Sequence, residues 1–228
     1  MIGICLTRYM SISHAMSAAH FSRCAFEVDL NNKNILCANV SAAIFCSVAF
    51  MEAAINEWAS NQESEIDSWL KNQKVAKKIK ATDFKSFDRE GILNKYDISL
   101  LSKDRKKFDR GSKIIQHAEA LIKLRNNLTH YKGDWLDSGT PEMLGSGSSH
   151  LTQYWPDMNL MVFKKRGIKG TWEQKEYAEW ATITAINLVD NFFAELGIPS
   201  IVEHVQKDLK TRLDTLSPQC FCVTSPSS

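Results

Sequence analysis

The chain has 228 residues, with 44% hydrophobic and 24% charged side chains and a formal net charge of +2. It is long enough to bury a sizeable core, and its composition is ordinary for a globular protein. Five prolines and ten glycines, the latter clustered late, favour helices over a turn-rich all-β fold.

Six cysteines (Cys5, Cys24, Cys37, Cys46, Cys220 and Cys222) form no CxxC pair and no zinc-type Cys/His spacing. They imply neither a disulfide framework nor a metal site, which fits a reducing, cytoplasmic setting. Cys37 and Cys46 lie in an apolar stretch and are expected to serve as small core hydrophobes.

Residues 1–10 are expected to be an N-terminal extension. They are mildly apolar, interrupted by Arg8, and lack the small-residue cleavage site of a signal peptide. No uncharged run is expected to approach a membrane span, so no membrane partner is foreseen. A first helix is predicted over 12–28, followed by a turn at Asn31, Asn32 and Asn34. Between Val40 and Trp58, the stripe Val40, Ile44, Val48, Met51, Ile55 and Trp58 has helical spacing and predicts the central buried helix.

A third helix is predicted over Glu63–Lys80, and one short helix within the polar stretch 81–110. The next runs from Gly111 to His130 with Ile114, Ile115, Ala118, Leu121, Ile122 and Leu128 inward, and Gly133 follows as a stop. Residues 133–170 read as a loop insertion, and Leu160–Thr171 as a short hairpin. A strong helix over Glu173–Leu196 follows, then a final one from Pro199 that buries Val202, Val205, Leu209, Leu213 and Leu216. Residues 217–228 read as a disordered tail. The fold class is therefore all-α, an antiparallel bundle of four to five long helices formed by one domain over 11–216.

Charge is uneven. Residues 71–132 hold 17 Lys/Arg against 7 Asp/Glu, the makings of an electrostatic surface for a polyanion or of a solvated helix face.

One segment stands apart, Leu121–Lys132 (LIKLRNNLTHYK). Arg125 and His130 fall in the last turns of an otherwise apolar helix, Asn126 shares a stripe with His130, and Tyr131 follows. Arg125 lies about 140° around the axis from His130. His can exchange a proton near neutrality, and Arg offers a charged fork matched to phosphate oxygens.

This Arg-Asn-x3-His pattern resembles the ribonuclease members of the HEPN superfamily, and Arg125, Asn126 and His130 match it position by position. Its chance expectation in a chain of this composition is roughly 0.01 occurrences, so it is a usable signal. The helix over 40–58 (AIFCSVAFMEAAINE) resembles the acidic second helix of such domains. The resemblance implies a metal-independent endoribonuclease, needing no cofactor, in a defence, toxin or stress-response setting. It implies Arg125 and His130 as catalytic groups oriented by Asn126, and a homodimer with a composite active site. RNA is the implied partner, with an antitoxin or regulatory protein as a further one. Toxins of this family silenced by nucleotidyl transfer carry a Tyr two residues after the His; here Lys132 stands there, which puts that regulation in doubt.

Supporting roles are expected for Glu52, which can pair with Arg125, and for Tyr131, which can stack on a base. Lys77, Lys78, Arg105 and Lys106 are the cations expected to meet RNA. Glu57 is expected at the surface, and His14, His20, His117, His150 and His204 are read as structural. Two alternatives stand beside the enzyme: a non-catalytic RNA- or nucleotide-binding module, and a helical protein-interaction domain. The structural reading of the pair itself makes Arg125 the partner of a buried acid and His130 a C-terminal helix cap.

Overall fold

The computed structural model describes residues 9–29, 31–72, 81–130 and 172–212. Every regular element among them is helical: α1 (Ser11–Glu27), α2 (Lys33–Ser60), α3 (Glu63–Asn72), α4 (Phe84–Phe87), α5 (Ile92–Ser102), α6 (Lys113–Thr129), α7 (Lys175–Leu196) and a 3-10 helix (Glu203–Leu209). The all-α class follows.

The core begins with α1, whose inner face is small: Ala15, Ala18, Ala19, Ser22 and Ala25 are all buried. Short side chains at the contact let a neighbouring helix axis approach closely. α2 packs there in the opposite direction, and its Glu57 meets the start of α1. The Glu57 carboxylate accepts hydrogen bonds from the backbone N–H groups of Met10 and Ser11 and from Ser11 Oγ. It thus satisfies donors that the first helical turn leaves open and sits at the positive end of the helix dipole. Glu57, expected only to lie at the surface, thus caps α1 from a part-exposed position. Glu57→Ala is expected to cost about 1 kcal/mol in urea unfolding, the scale of a lost N-cap; an unchanged midpoint would show the cap to be idle.

α7 runs antiparallel to α1. Lys175 lies over the Phe26 ring at the end of α1, and Thr182 Oγ1 donates to Ala18 O one helix stretch earlier. It therefore runs in the same direction as α2, where Phe192 meets Trp58 edge to face at 5.2 Å. The left-handed Gly197 (φ 74°) ends α7, a conformation that glycine adopts without steric cost.

α7 is more enclosed than α2. Every residue from Tyr177 to Ile186 is buried, including Glu179, Thr182 and Thr184. α2 buries its predicted stripe of Val40, Ile44, Val48, Met51 and Ile55 but leaves the opposite side open. On that side Ile35 is 50% and Phe45 38% exposed. Cys37 and Cys46 are half-buried on the same helix, and burial pushes both thiols up. Residues 34–51 of α2 also form an uncharged run, and the helix is long and apolar enough to cross a membrane by length and composition. That corrects the expectation that no run comes near such a length.

The stretch 81–110 carries two helices where one was expected. Asp83 and Ser86 cap α4 reciprocally. α5 is mostly buried despite its polar residues, which blur the periodicity. Its Lys95 is 3% exposed, donates to Asn56 Oδ1 and lies over the Phe87 ring. Tyr96 donates its hydroxyl to Met51 O at 2.8 Å and packs edge to face on Phe192 at 4.9 Å. α3, α4 and α5 enclose a second small cluster of Ala59, Ile66, Leu70, Ala81, Phe87 and Ile98.

The final predicted helix is instead the 3-10 helix Glu203–Leu209, and the backbone is extended at Lys210. Val202 and Leu209 are buried as expected. The segment is held by polar ties that compete with helix continuation. Ser22 Oγ donates to Thr211 O, and Arg23 Nη1 donates to the carbonyls of Asp208 and Lys210. Arg212 forks onto Glu179 with two hydrogen bonds. The extension at 1–8, the 73–80 half of the third predicted helix, the 133–170 insertion with its hairpin, and the tail lie outside the described residues.

Candidate functional site

α6 builds the site from a capped start. Ser112 Oγ accepts from the Ile115 N–H, and Ile115, Ala118, Leu121 and Leu124 form the buried stripe that packs on α7 and α2. Arg125 follows Leu124 and turns partly inward.

Its side chain is 26% exposed, and Nη2 stands 4.0 Å from Oε2 of Glu52, itself 44% exposed. That separation is an ion pair, too long for a hydrogen bond. Nε of Arg125 is shielded from solvent and has no hydrogen-bond partner among the described residues. Buried donors are nearly always paired, so this guanidinium has unmet hydrogen-bonding capacity. Two helices therefore bring together the pair Arg125 and Glu52, with Glu52 lying on the open side of α2, a turn beyond Ala49.

Asn126 and His130 are exposed. His130 is the C-cap of α6 (φ −110°, ψ 31°), and its backbone N–H donates to Asn126 O at 2.9 Å. Thr129 Oγ1 donates to Arg125 O at 2.8 Å, fastening the same last turn. Neither ring nitrogen of His130 bonds to a described residue, so the imidazole is open to solvent. Arg125 faces α2 while Asn126 and His130 face outward, as the angular spacing requires.

Arg105 and Lys106 are exposed on the connection that precedes α6. The Arg105 guanidinium lies beside Gly197 at the end of α7, and no described contact joins it to Arg125 or His130. Tyr131, Lys77 and Lys78 lie outside the described residues. Among the described residues, no three His, Cys, Asp or Glu side chains gather as a metal centre would require.

His117 on α6 has a defined structural place. Trp180 Nε1 of α7 lies 3.4 Å from its Nδ1, with the rings 6.2 Å apart. Burial, assisted by the Lys113 charge, holds the imidazole below its usual pKa. A base depressed in the folded state stabilises the fold above its unfolded pKa, and that contribution is lost as pH falls through the folded one. Thermal unfolding is thus expected to show stability falling as pH drops below about 6.5, the ordinary histidine value. His117→Gln should flatten that fall, and an unaltered acid slope would contradict the assignment.

No family model matches the chain, and no curated protein or solved structure matches it either.

Proposed function

We propose that the chain is a metal-independent endoribonuclease in which Arg125 and His130 act on one phosphodiester. The observation that carries this reading is a part-exposed guanidinium, joined to Glu52 by no more than a 4.0 Å ion pair, about one and a half helical turns before a solvent-open imidazole. An internucleotide phosphate would meet the part-exposed end of the Arg125 guanidinium, which its 4.0 Å ion pair with Glu52 leaves short of a hydrogen bond. The resemblance of Arg125, Asn126 and His130 to the HEPN ribonuclease motif points the same way.

In the proposed reaction the ribose 2′-oxygen attacks the adjacent phosphorus. The P–O2′ bond forms, the P–O5′ bond breaks, and the products are a 2′,3′-cyclic phosphate and a 5′-hydroxyl. One proton must leave the 2′-oxygen and one must reach the 5′-oxygen, the work of an imidazole. Arg125 would offset the charge that builds on the phosphorane oxygens, with Glu52 setting its direction.

A homodimer would provide a second imidazole, so that one takes the proton while the other gives it. Support for self-association comes from the open side of α2. Ile35, Ala38, Ala42, Phe45 and Ala49 recur there at three- and four-residue spacing and lead to Glu52. The cytoplasm, and a toxin or defence role held in check by a regulatory protein, complete the proposal.

The test incubates purified protein with RNA, with and without EDTA. Fragments ending in 2′,3′-cyclic phosphate under both conditions are expected, and intact RNA under both would remove the proposal. A second reading rests on the exposed Arg105 and Lys106: salt-sensitive RNA binding without cleavage.

A further inference from the structure

A cleft of about 630 Å³ lies between α1 and the 203–212 segment, away from the residues assigned above. One wall is apolar and aromatic, formed by Met16, His20 and Phe21 of α1. Met16 is 41% exposed there, and the His20 and Phe21 rings meet at 5.4 Å. The cations are Arg23, also from α1 but reaching across to the 203–212 segment, and Lys207 and Lys210 of that segment. None of these three has a carboxylate within ion-pair distance among the described residues. Arg23 is already fixed in place by the carbonyls of Asp208 and Lys210, neutral acceptors that leave its charge uncompensated. Two further charges complete the rim: the Asp208 carboxylate opposes an anion, and Arg212 is engaged by Glu179.

A volume of this size suits a small molecule. Three cations without a carboxylate partner, together with an open thioether and an aromatic ring, select two properties in one ligand. It carries a multiply charged anionic group and an adjoining apolar portion. We infer that this cleft binds a phosphate monoester, its phosphate between Lys207, Lys210 and Arg23 and its substituent against Met16 and Phe21. The pre-set Arg23 fork spares part of the ordering cost that a free side chain would add. The inference does not depend on Arg125 or His130.

The full chain is titrated calorimetrically with phenyl phosphate and with inorganic phosphate, and mixed with phosphatidic-acid vesicles. Phenyl phosphate is expected to bind more tightly than inorganic phosphate, and more weakly as salt rises. Lys207→Gln with Lys210→Gln should weaken phenyl phosphate about tenfold, the scale of one lost charge-assisted contact. Both lysines are surface residues, so thermal unfolding should not change and serves as the check on folding. Met16→Ala should weaken phenyl phosphate while leaving inorganic phosphate unaffected. Vesicle binding that phenyl phosphate displaces assigns the ester to a lipid headgroup; phenyl phosphate binding without vesicle binding assigns it to a soluble metabolite. No binding of phenyl phosphate at millimolar concentration would overturn the inference. So would equal weakening by Arg105→Gln with Lys106→Gln, which would mark a non-specific charge effect.

Discussion

His130→Ala and Arg125→Ala are each expected to lower RNA cleavage by about 100-fold or more, the usual contribution of a proton-transferring or charge-stabilising group. The two should differ in what remains. Without the imidazole the phosphate is still gripped, so RNA binding persists and cleavage loses its dependence on pH near neutrality. Without the guanidinium both affinity and turnover fall. Arg125→Lys keeps a charge but loses the planar fork and should rescue binding better than catalysis. Glu52→Gln probes positioning: it leaves Arg125 without its ion-pair partner and should slow turnover less than either direct change. His130 is exposed at a helix end and Arg125 is part-exposed, so all four variants should unfold near the wild-type temperature. Cleavage that survives His130→Ala at the wild-type rate would end the enzymatic reading.

The largest effect on the fold is expected from Tyr96→Ala, about 3–5 kcal/mol, the range for removing a buried aromatic side chain. The Tyr96 ring is fully buried between Phe108 and Phe192, so its loss leaves a cavity where α5 meets α7. Its hydroxyl ties α5 to the Met51 carbonyl of α2. Burial also drives the phenol far above its ordinary pKa, so it remains a donor at every pH the fold survives. Tyr96→Phe removes only that hydrogen bond and should cost about 1 kcal/mol. Chemical denaturation separates the two. Equal losses in both variants would put the stability in the hydroxyl rather than in packing.

The sequence was most legible where apolar periodicity and burial coincide. α1, α2, α6 and α7 all lie within a few residues of their predicted spans, apart from the early start of α2, because their inner stripes are apolar. α5 was the harder case. Lys95, Ser99 and Ser102 are buried there: Lys95 finds a tertiary partner and Ser102 a local carbonyl, while Ser99 Oγ has no hydrogen-bond partner among the described residues, and no periodicity rule anticipates that. The ranking of α2 over α7 failed for a related reason. Hydropathy measures what a helix could bury, and Phe45 on the more apolar helix is open while Thr182 and Thr184 on α7 are enclosed.

At the candidate site, the spacing of Arg125, Asn126 and His130 gave the angular relation between them, and the Glu52 pairing could be framed from sequence. What it could not give was the unmet Nε donor of Arg125, which depends on how α6 settles against its neighbours. The role of Glu57 was hidden for the same reason: its partners lie 46 or 47 residues away along the chain. The last segment misled because Val202 and Leu209 carry helical spacing while Arg23 takes up nearby carbonyls.

The late position of α7 has a consequence for biosynthesis. α1 and α2 can pair as a hairpin soon after they leave the ribosome, since both come from the first 60 residues. The helix that seals them begins only at Lys175. Until then the nascent hairpin displays the greasy surface destined for α7, and a long-range contact must wait for more than a hundred further residues. Folding of this chain is thus gated by translation, and an unfinished polypeptide is a natural client for chaperones that shield exposed hydrocarbon.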